Sequence, residues 1–251
     1  MKRIIKQIIF YSLLISLWQA LIMLKIWPEY IFPSPIKVWE ALTEGFKNST
    51  FPIAIGISLR RIFLGYGISI LLGCFLGITM YMFKIINDTV GALILGLQTL
   101  PSICWLPLAL IWFGLNEKAI IFVAIMGALF SITIATDSSI RNIPPIYVKV
   151  GRNMGARRLV LLWKVVIPAA LPHFIPGLKQ GWSFAWRSLM AGELLFANLG
   201  LGYLLMVGRE LNDMSQVIAV MLVVAFISIL IDKLCFGRIE ANLRKRWGFK
   251  V

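Results

Sequence analysis

Three ionisable residues, Lys179, Arg187 and Glu193, interrupt the otherwise apolar run GLKQGWSFAWRSLMAGELL. Ionisable side chains are costly in hydrocarbon, so within a membrane span they default to a functional reading, with structural pairing as the alternative. Lys179 and Arg187 are eight residues apart, about 80° around a helix that turns about 100° per residue, so they share a broad face. A cationic face of that kind suits an anionic solute. Glu193 falls about 240° from Arg187, which directs it to a partner on another span or another chain. Trp182 and Trp186 recur at helical spacing and share a face; they line a path, or they pack and anchor. Gln98, Ser102 and Trp105 flank Pro101, with Pro107 just beyond. Prolines there kink a helix and free carbonyls, and broken helices line solute paths in transporters. Covalent and metal chemistry have no comparable support. Cys74, Cys104 and Cys235 are far apart with no C-x-x-C, and His173 is the sole histidine, too little for a histidine metal site.

The elements that position these residues are membrane spans. The chain has 251 residues, 59% hydrophobic and 14% charged, with a mean hydropathy of +0.86. A soluble domain is about a quarter charged, and water-soluble enzyme readings are excluded on this ground. Hydrocarbon spans need about 20 consecutive apolar residues, and six such runs occur, about 8–27, 53–82, 89–112, 118–136, 172–196 and 215–236. The runs are continuous and lack the alternation of a barrel strand, so all-helical spans are expected. The expectation is an all-α integral membrane protein, one membrane domain over residues 1–251. The run after MKRIIK is too long for a signal peptide and no small-x-small cleavage site follows it, so it reads as an uncleaved first span.

Lysine and arginine placement sets the orientation. Lys2, Arg3 and Lys6 at the start, Lys84, six residues in 137–168, and Arg238, Arg244, Lys245, Arg246 and Lys250 in the tail fall on one side; Lys37, Lys47, Lys118 and Arg209 fall on the other. Both termini are therefore expected in the cytoplasm. The formal charge of +14 follows from this topology, and nucleic acid is not an expected partner. Arg60 and Arg61 fit poorly; they are expected to snorkel outward or to face an aqueous interior. Between the first two spans, Ser34-Pro35 is a helix start, and Ile36, Val38, Trp39 and Leu42 suggest a short helix on the membrane surface. Gly73 and Gly77 form a G-x-x-x-G that allows close helix approach.

One polar segment is built to be touched by another protein. Residues 137–172 read DSSIRNIPPIYVKVGRNMGARRLVLLWKVVIPAALP, with Arg141, Lys149, Arg152, Arg157, Arg158 and Lys164 against the single acid Asp137. Asn142 before Pro144 and Pro145 starts a helix. Tyr147 to Met154 continues it, Gly155 supplies a left-handed ending, and Arg157 to Val166 forms a second helix that Pro168 stops. This spacing resembles the cytoplasmic coupling loop of ABC transporter permeases, whose pattern is E-A-A, three residues, Gly, nine residues, I-x-L-P. Here Lys149-Val150-Gly151 stands in place of E-A-A, followed by Gly155 and Val165-x-Ile167-Pro168.

A wider resemblance covers nearly the whole chain. FPSPIKVWEAL, SLRRIFLGYGISILLGCFLGI, LPSICWLPLALIWFGLNEKAIIF, GLKQGWSFAWRSLMAGELL and NLGLGYLL look like the permeases of the nitrate/sulfonate/taurine importer group. The resemblance implies the type I ABC importer permease fold with six spans, in the cell membrane of a prokaryote, as a dimer of two copies of the chain. Each copy docks a cytoplasmic ATPase subunit, an extracytoplasmic solute-binding protein delivers the solute, and the partner ATPase uses ATP-Mg. The implied ATPase-coupling residues are Tyr147, Lys149, Val150, Gly151, Met154, Gly155, Ala156 and Pro168. The candidate path residues are Gln98, Trp105, Lys179, Trp182, Trp186, Arg187 and Glu193. No G-x-x-x-x-G-K-[ST] occurs in the chain, so it is not expected to hydrolyse ATP itself or to bind a cofactor. The expected solute is a small anion, sulfonate-like first, then nitrate or taurine. The competing readings are a secondary transporter or channel working without an ATPase, and a non-transporting scaffold.

Overall fold

The computed structural model describes residues 2–24 and 27–247, and these are helical with short connections. The helices are α1 Lys2–Met23, α2 Pro35–Lys47, α3 Thr50–Met82, α4 Lys84–Gln98, α5 Ser102–Phe113, α6 Glu117–Arg141, α7 Pro145–Asn153, α8 Leu159–Phe196, α9 Leu201–Glu210 and α10 Met214–Leu243. Five of them, α1 (from Ile5), α3, α6, α8 and α10, are long and apolar enough to cross a membrane, and α4 with α5 makes a sixth when the bent pair is counted as one span. Lys25 and Ile26, where the predicted first span ends, lie outside the described residues, as does the tail residue Lys250 used for sidedness. α1 buries none of its apolar stretch. Trp18 Nε1 donates to Pro33 O at 3.1 Å, tying α1 to the segment before α2. Ser34 caps α2 as expected, accepting from Lys37 N at 3.3 Å with Pro35 in the first turn.

Two expectations are corrected by the backbone. The run 89–112 is not one kinked helix, because α4 and α5 meet at a 104° bend. Pro101 has no N–H to continue the ladder and takes an extended conformation (φ −54°, ψ 135°), so the chain leaves the helix before a new one starts. Pro168, in contrast, stops nothing: α8 runs through it and through Pro172 and Pro176. A wider π turn over Leu162–Val166 immediately precedes it, with Ile167 N bonding to Leu162 O. The proline ring clashes with the carbonyl four residues back in a regular helix, and the widened turn makes room for it there. The predicted loop 137–168 is therefore mostly helix, belonging to the end of α6, to α7 and to the start of α8.

The chain packs as two compact units, residues 1–58 with 193–227, and residues 59–192 with 228–251. In the second unit α3 lies against α6 along the predicted small-residue pair. A Cβ on Gly73 would meet Ile132 at 2.8 Å, and one on Gly77 would meet Thr136 Cβ at 2.5 Å and Thr133 O at 2.6 Å. Hydrogen at these two positions is what permits the approach. Arg60 and Arg61 both bond Glu117 at the start of α6, Arg61 Nε at 3.1 Å, with the Arg60 side chain exposed and that of Arg61 largely buried.

Gly77→Ala is expected to cost about 1–3 kcal/mol, because the added methyl meets backbone and cannot be relieved by a rotamer change. Gly67, with nothing within 4 Å of its would-be Cβ, is the control; Gly67→Ala should be neutral or stabilising by up to about 1 kcal/mol. Thermal midpoints of the two variants in detergent check this, and equal midpoints would contradict the packing.

Candidate functional site

α7 is a short amphipathic helix seated on the start of α8. Its inner side rests on the buried cluster Ile140, Ile143, Leu161, Leu162 and Val166, to which Val148 and Ala156 add. Gly151 is buried there, and a Cβ on it would meet Leu161 Cδ1 at 2.8 Å and Val165 Cγ2 at 3.0 Å, so this position of the loop pattern is an approach point between α7 and α8. The helix ends in a left-handed turn. Gly155 has φ +85°, Ala156 N bonds Gly151 O at 3.0 Å and Gly155 N bonds Arg152 O at 2.9 Å. This double closure satisfies the last carbonyls and aims the chain sharply into α8. The outer side is apolar and uncovered: Ile146, Tyr147, Val150 and Met154 are exposed, Met154 at 83%. Lys149, Arg152 and Arg157 are exposed around it. Pro168 lies inside α8, beyond the seat.

The path candidates separate into three places. Gln98 lies at the α4–α5 break and lines a cavity of about 330 Å³ with Thr99, Ser102, Phe184, Arg187 and Ser188. Trp105 does not line it; its ring packs on Phe130 at 6.0 Å. A second cavity, about 470 Å³, is lined by Trp182, Trp186, Arg187, Ser228, Asp232 and Lys233. Arg187 belongs to both cavities. Its guanidinium sits 5.0 Å above the Phe184 ring and Nε donates to Ser183 O at 3.3 Å, and it makes no ion pair among the described residues. Lys179 is paired with Asp232 at 2.9 Å, both side chains about a third to a half exposed.

Trp182 and Trp186 are stacked, centroids 6.0 Å apart at 26°, and Trp182 also packs edge-on to Tyr66 at 5.1 Å. Both are about 95% buried. Neither indole N–H has a hydrogen-bond partner among the described residues, a deficit that costs about 1–3 kcal/mol for each donor.

Glu193 has a different setting, within the first unit. It is fully buried. The Ser58 hydroxyl lies 2.9 and 2.7 Å from its two oxygens, Gly202 N donates to Oε2 at 3.0 Å, and Leu201 N donates to the Ser58 hydroxyl oxygen at 2.9 Å. The carboxylate and hydroxyl thus cap the start of α9, whose own cap residue Gly200 offers no side chain. Gly200 has φ +131°, and a Cβ there would stand 2.6 Å from the Glu193 carboxylate. Ser58, Glu117, Gly200 and Asp232 were not among the residues singled out from the sequence. Glu117 and Asp232 carried a signal, being acids at the ends of apolar runs; Ser58 carried none.

Residues 69–246 match the family model described as binding-protein-dependent transport system inner membrane component. A putative ABC transporter permease protein of Methanocaldococcus jannaschii is 36% identical over 178 residues, 70% of this chain and 67% of that protein. The taurine transport system permease protein of Escherichia coli strain K12 is 27% identical over 226 residues, 88% of this chain and 82% of its own length. Among solved structures, an amino acid ABC transporter crystallised with histidines superposes with a TM-score of 0.67 at 19% identity, over 80% of this chain and 97% of that one; this likeness bears on the fold. Gly200→Ala, which adds both backbone strain and a clash with a buried carboxylate, is expected to destabilise by about 2 kcal/mol or more. Glu193→Ala, which strips the Gly202 N–H and the Ser58 hydroxyl of their acceptor, should lie in the same range. Protease resistance of the detergent-solubilised chain measures both, and wild-type resistance in either variant would argue against the cap.

Proposed function

Because the chain belongs to the binding-protein-dependent transport system inner membrane component family, a multi-pass inner-membrane ABC importer permease for small solutes without an ATPase site of its own, we propose that it moves a small anion, of the aliphatic sulfonate, taurine or nitrate kind, as one membrane domain in a homodimer. In this reading both termini and α7 face the cytoplasm. Each copy docks one ATPase subunit, which binds and hydrolyses ATP-Mg, and an external binding protein supplies the solute. The observation that carries the reading is α7: a rigid, glycine-terminated helix presenting Ile146, Tyr147, Val150 and Met154 inside a rim of Lys149, Arg152 and Arg157. An uncovered apolar face with a charged rim is the anatomy of a partner interface, and the inner face of α7 is already locked to α8.

The anion preference is supported by charge. Arg187 and Lys233 line the cavities while the single acid there, Asp232, is engaged by Lys179. The taurine permease relative transports a molecule with a sulfonate group, which agrees. A secondary transporter or channel would have no use for the exposed face of α7.

Met154→Asp places a charge in the middle of that face and is expected to abolish co-purification with the partner ATPase while membrane insertion is retained. Gly155→Val, strained at φ +85° by about 1–2 kcal/mol or more, should keep the complex assembled but lower solute-stimulated ATP hydrolysis about tenfold. Undiminished solute flux through either variant in the absence of any ATPase would support the channel reading instead.

A further inference from the structure

Arg187 and Lys233 are the cations lining the second cavity and Asp232 is the acid there, beside the hydroxyls of Ser183 and Ser228. An indole supplies one N–H and accepts nothing; guanidinium and ammonium groups likewise only donate. Asp232 bonds Lys179 through one oxygen at 2.9 Å. The Lys179–Asp232 pair is neutral as a unit, which leaves Arg187 and Lys233 as net positive charge on the cavity wall, and neither forms an ion pair among the described residues. Trp182 and Trp186, on successive turns of α8, line the same cavity, and their buried indole N–H groups have no hydrogen-bond partner among the described residues. Buried donors without acceptors are rare in folded proteins, and each asks for an explanation.

We propose that this cavity is an oxyanion-binding site within the permease itself, in which Arg187 holds the charge and the Trp182 and Trp186 N–H groups donate to the anion's oxygens. The inference rests on the anion-import reading above and deepens it: solute selection is then shared by this chain and does not lie wholly with the external binding protein. Several features fit an oxyanion better than other occupants. A cation is repelled by Arg187 and Lys233. A neutral apolar solute would leave both N–H groups unpaired. A sulfonate or nitrate has several acceptor oxygens in a small volume and can accept from more than one donor. The cavity, about 470 Å³, exceeds such an anion and keeps part of its hydration shell, since a water takes up about 30 Å³. Weak, partly hydrated holding is what a permease needs, because the solute must leave again. The N–H groups are shielded from solvent in the present conformation, so engagement goes with a small shift of the stacked pair.

The test is anion binding to the purified full-length chain in lipid nanodiscs. Methanesulfonate and nitrate are titrated at constant ionic strength, with chloride as the competing salt, and the indole N–H resonances of ¹⁵N-tryptophan-labelled protein are read. Saturable shifts of two indole signals that disappear in Trp182→Phe and Trp186→Phe are expected with methanesulfonate or nitrate and not with chloride. Each Phe variant, and Arg187→Gln, should weaken binding tenfold or more, while Arg187→Lys retains most of it. Because each Phe variant also removes part of a buried, stacked ring, anion affinity is the deciding readout: a purely structural role for the indoles would leave it unchanged. Shifts equal for all anions, or affinities unaltered by the three variants, overturn the site. Uptake of the same anions by the complete transporter separates the two failures. If uptake persists without this binding, only the site is lost; if neither anion binds nor is transported, the anion-import reading falls with it.

Discussion

Hydrocarbon supplies no hydrogen bonds, so every polar group carried into it must be satisfied by the protein. Most of the distinctive contacts in this chain are answers to that constraint. Arg60 and Arg61 meet Glu117, which joins α3 to α6. Lys179 meets Asp232, which joins α8 to α10. Glu193 meets Ser58 and the first N–H groups of α9. An exposed ion pair contributes about 0–1 kcal/mol, whereas a buried polar group deprived of its partner costs several times that. The pairs therefore act less as sources of stability than as restrictions on which helix faces can adjoin. Against this background Trp182, Trp186 and Arg187 stand out, because in their neighbourhood the protein leaves donors open.

The same helix carries those open donors and the seat of α7. Leu161 and Val165 of α8 grip Gly151, and Trp186 and Arg187 lie further along it. At about 1.5 Å per residue, α8 from Leu159 to Arg187 is about 40 Å long. α8 is continuous through Pro168, Pro172 and Pro176, so one helix joins the seat of α7 to the cavities, and the π turn that accommodates Pro168 lies against that seat.

Much of this was legible in the sequence because membrane spans are written in long runs and hydrogen-bond demands. The all-helical class, the Ser34-Pro35 helix start, the left-handed turn at Gly155 and the close approach at Gly73 and Gly77 all follow from local chemistry. What could not be read depends on where helices meet. Pro168 looked like a helix stop because the rule for proline assumes a regular helix, and the π turn that relieves it is a tertiary accommodation. Pro101 looked like a kink, yet the chain breaks fully there. The partners of Arg61, Lys179 and Glu193 lie 56, 53 and 135 positions away in the chain, beyond the reach of any pattern along one helix. The path residues were named as one group, and the structure distributes them: Arg187 with Gln98 and with the tryptophans at two cavities, Trp105 in packing, Glu193 at a helix cap.

The central claim is that this chain converts ATPase motion into anion import. ATP hydrolysis by the complete transporter in lipid vesicles, assembled from this chain with its partner ATPase and solute-binding protein, tests it most directly. A panel of alkanesulfonates, taurine, nitrate and vitamin precursors serves as ligand. The account predicts stimulation by one of the anions, only in the presence of the binding protein. Stimulation by a vitamin precursor alone, or failure of this chain to assemble with the ATPase while solute flux continues without it, would contradict it.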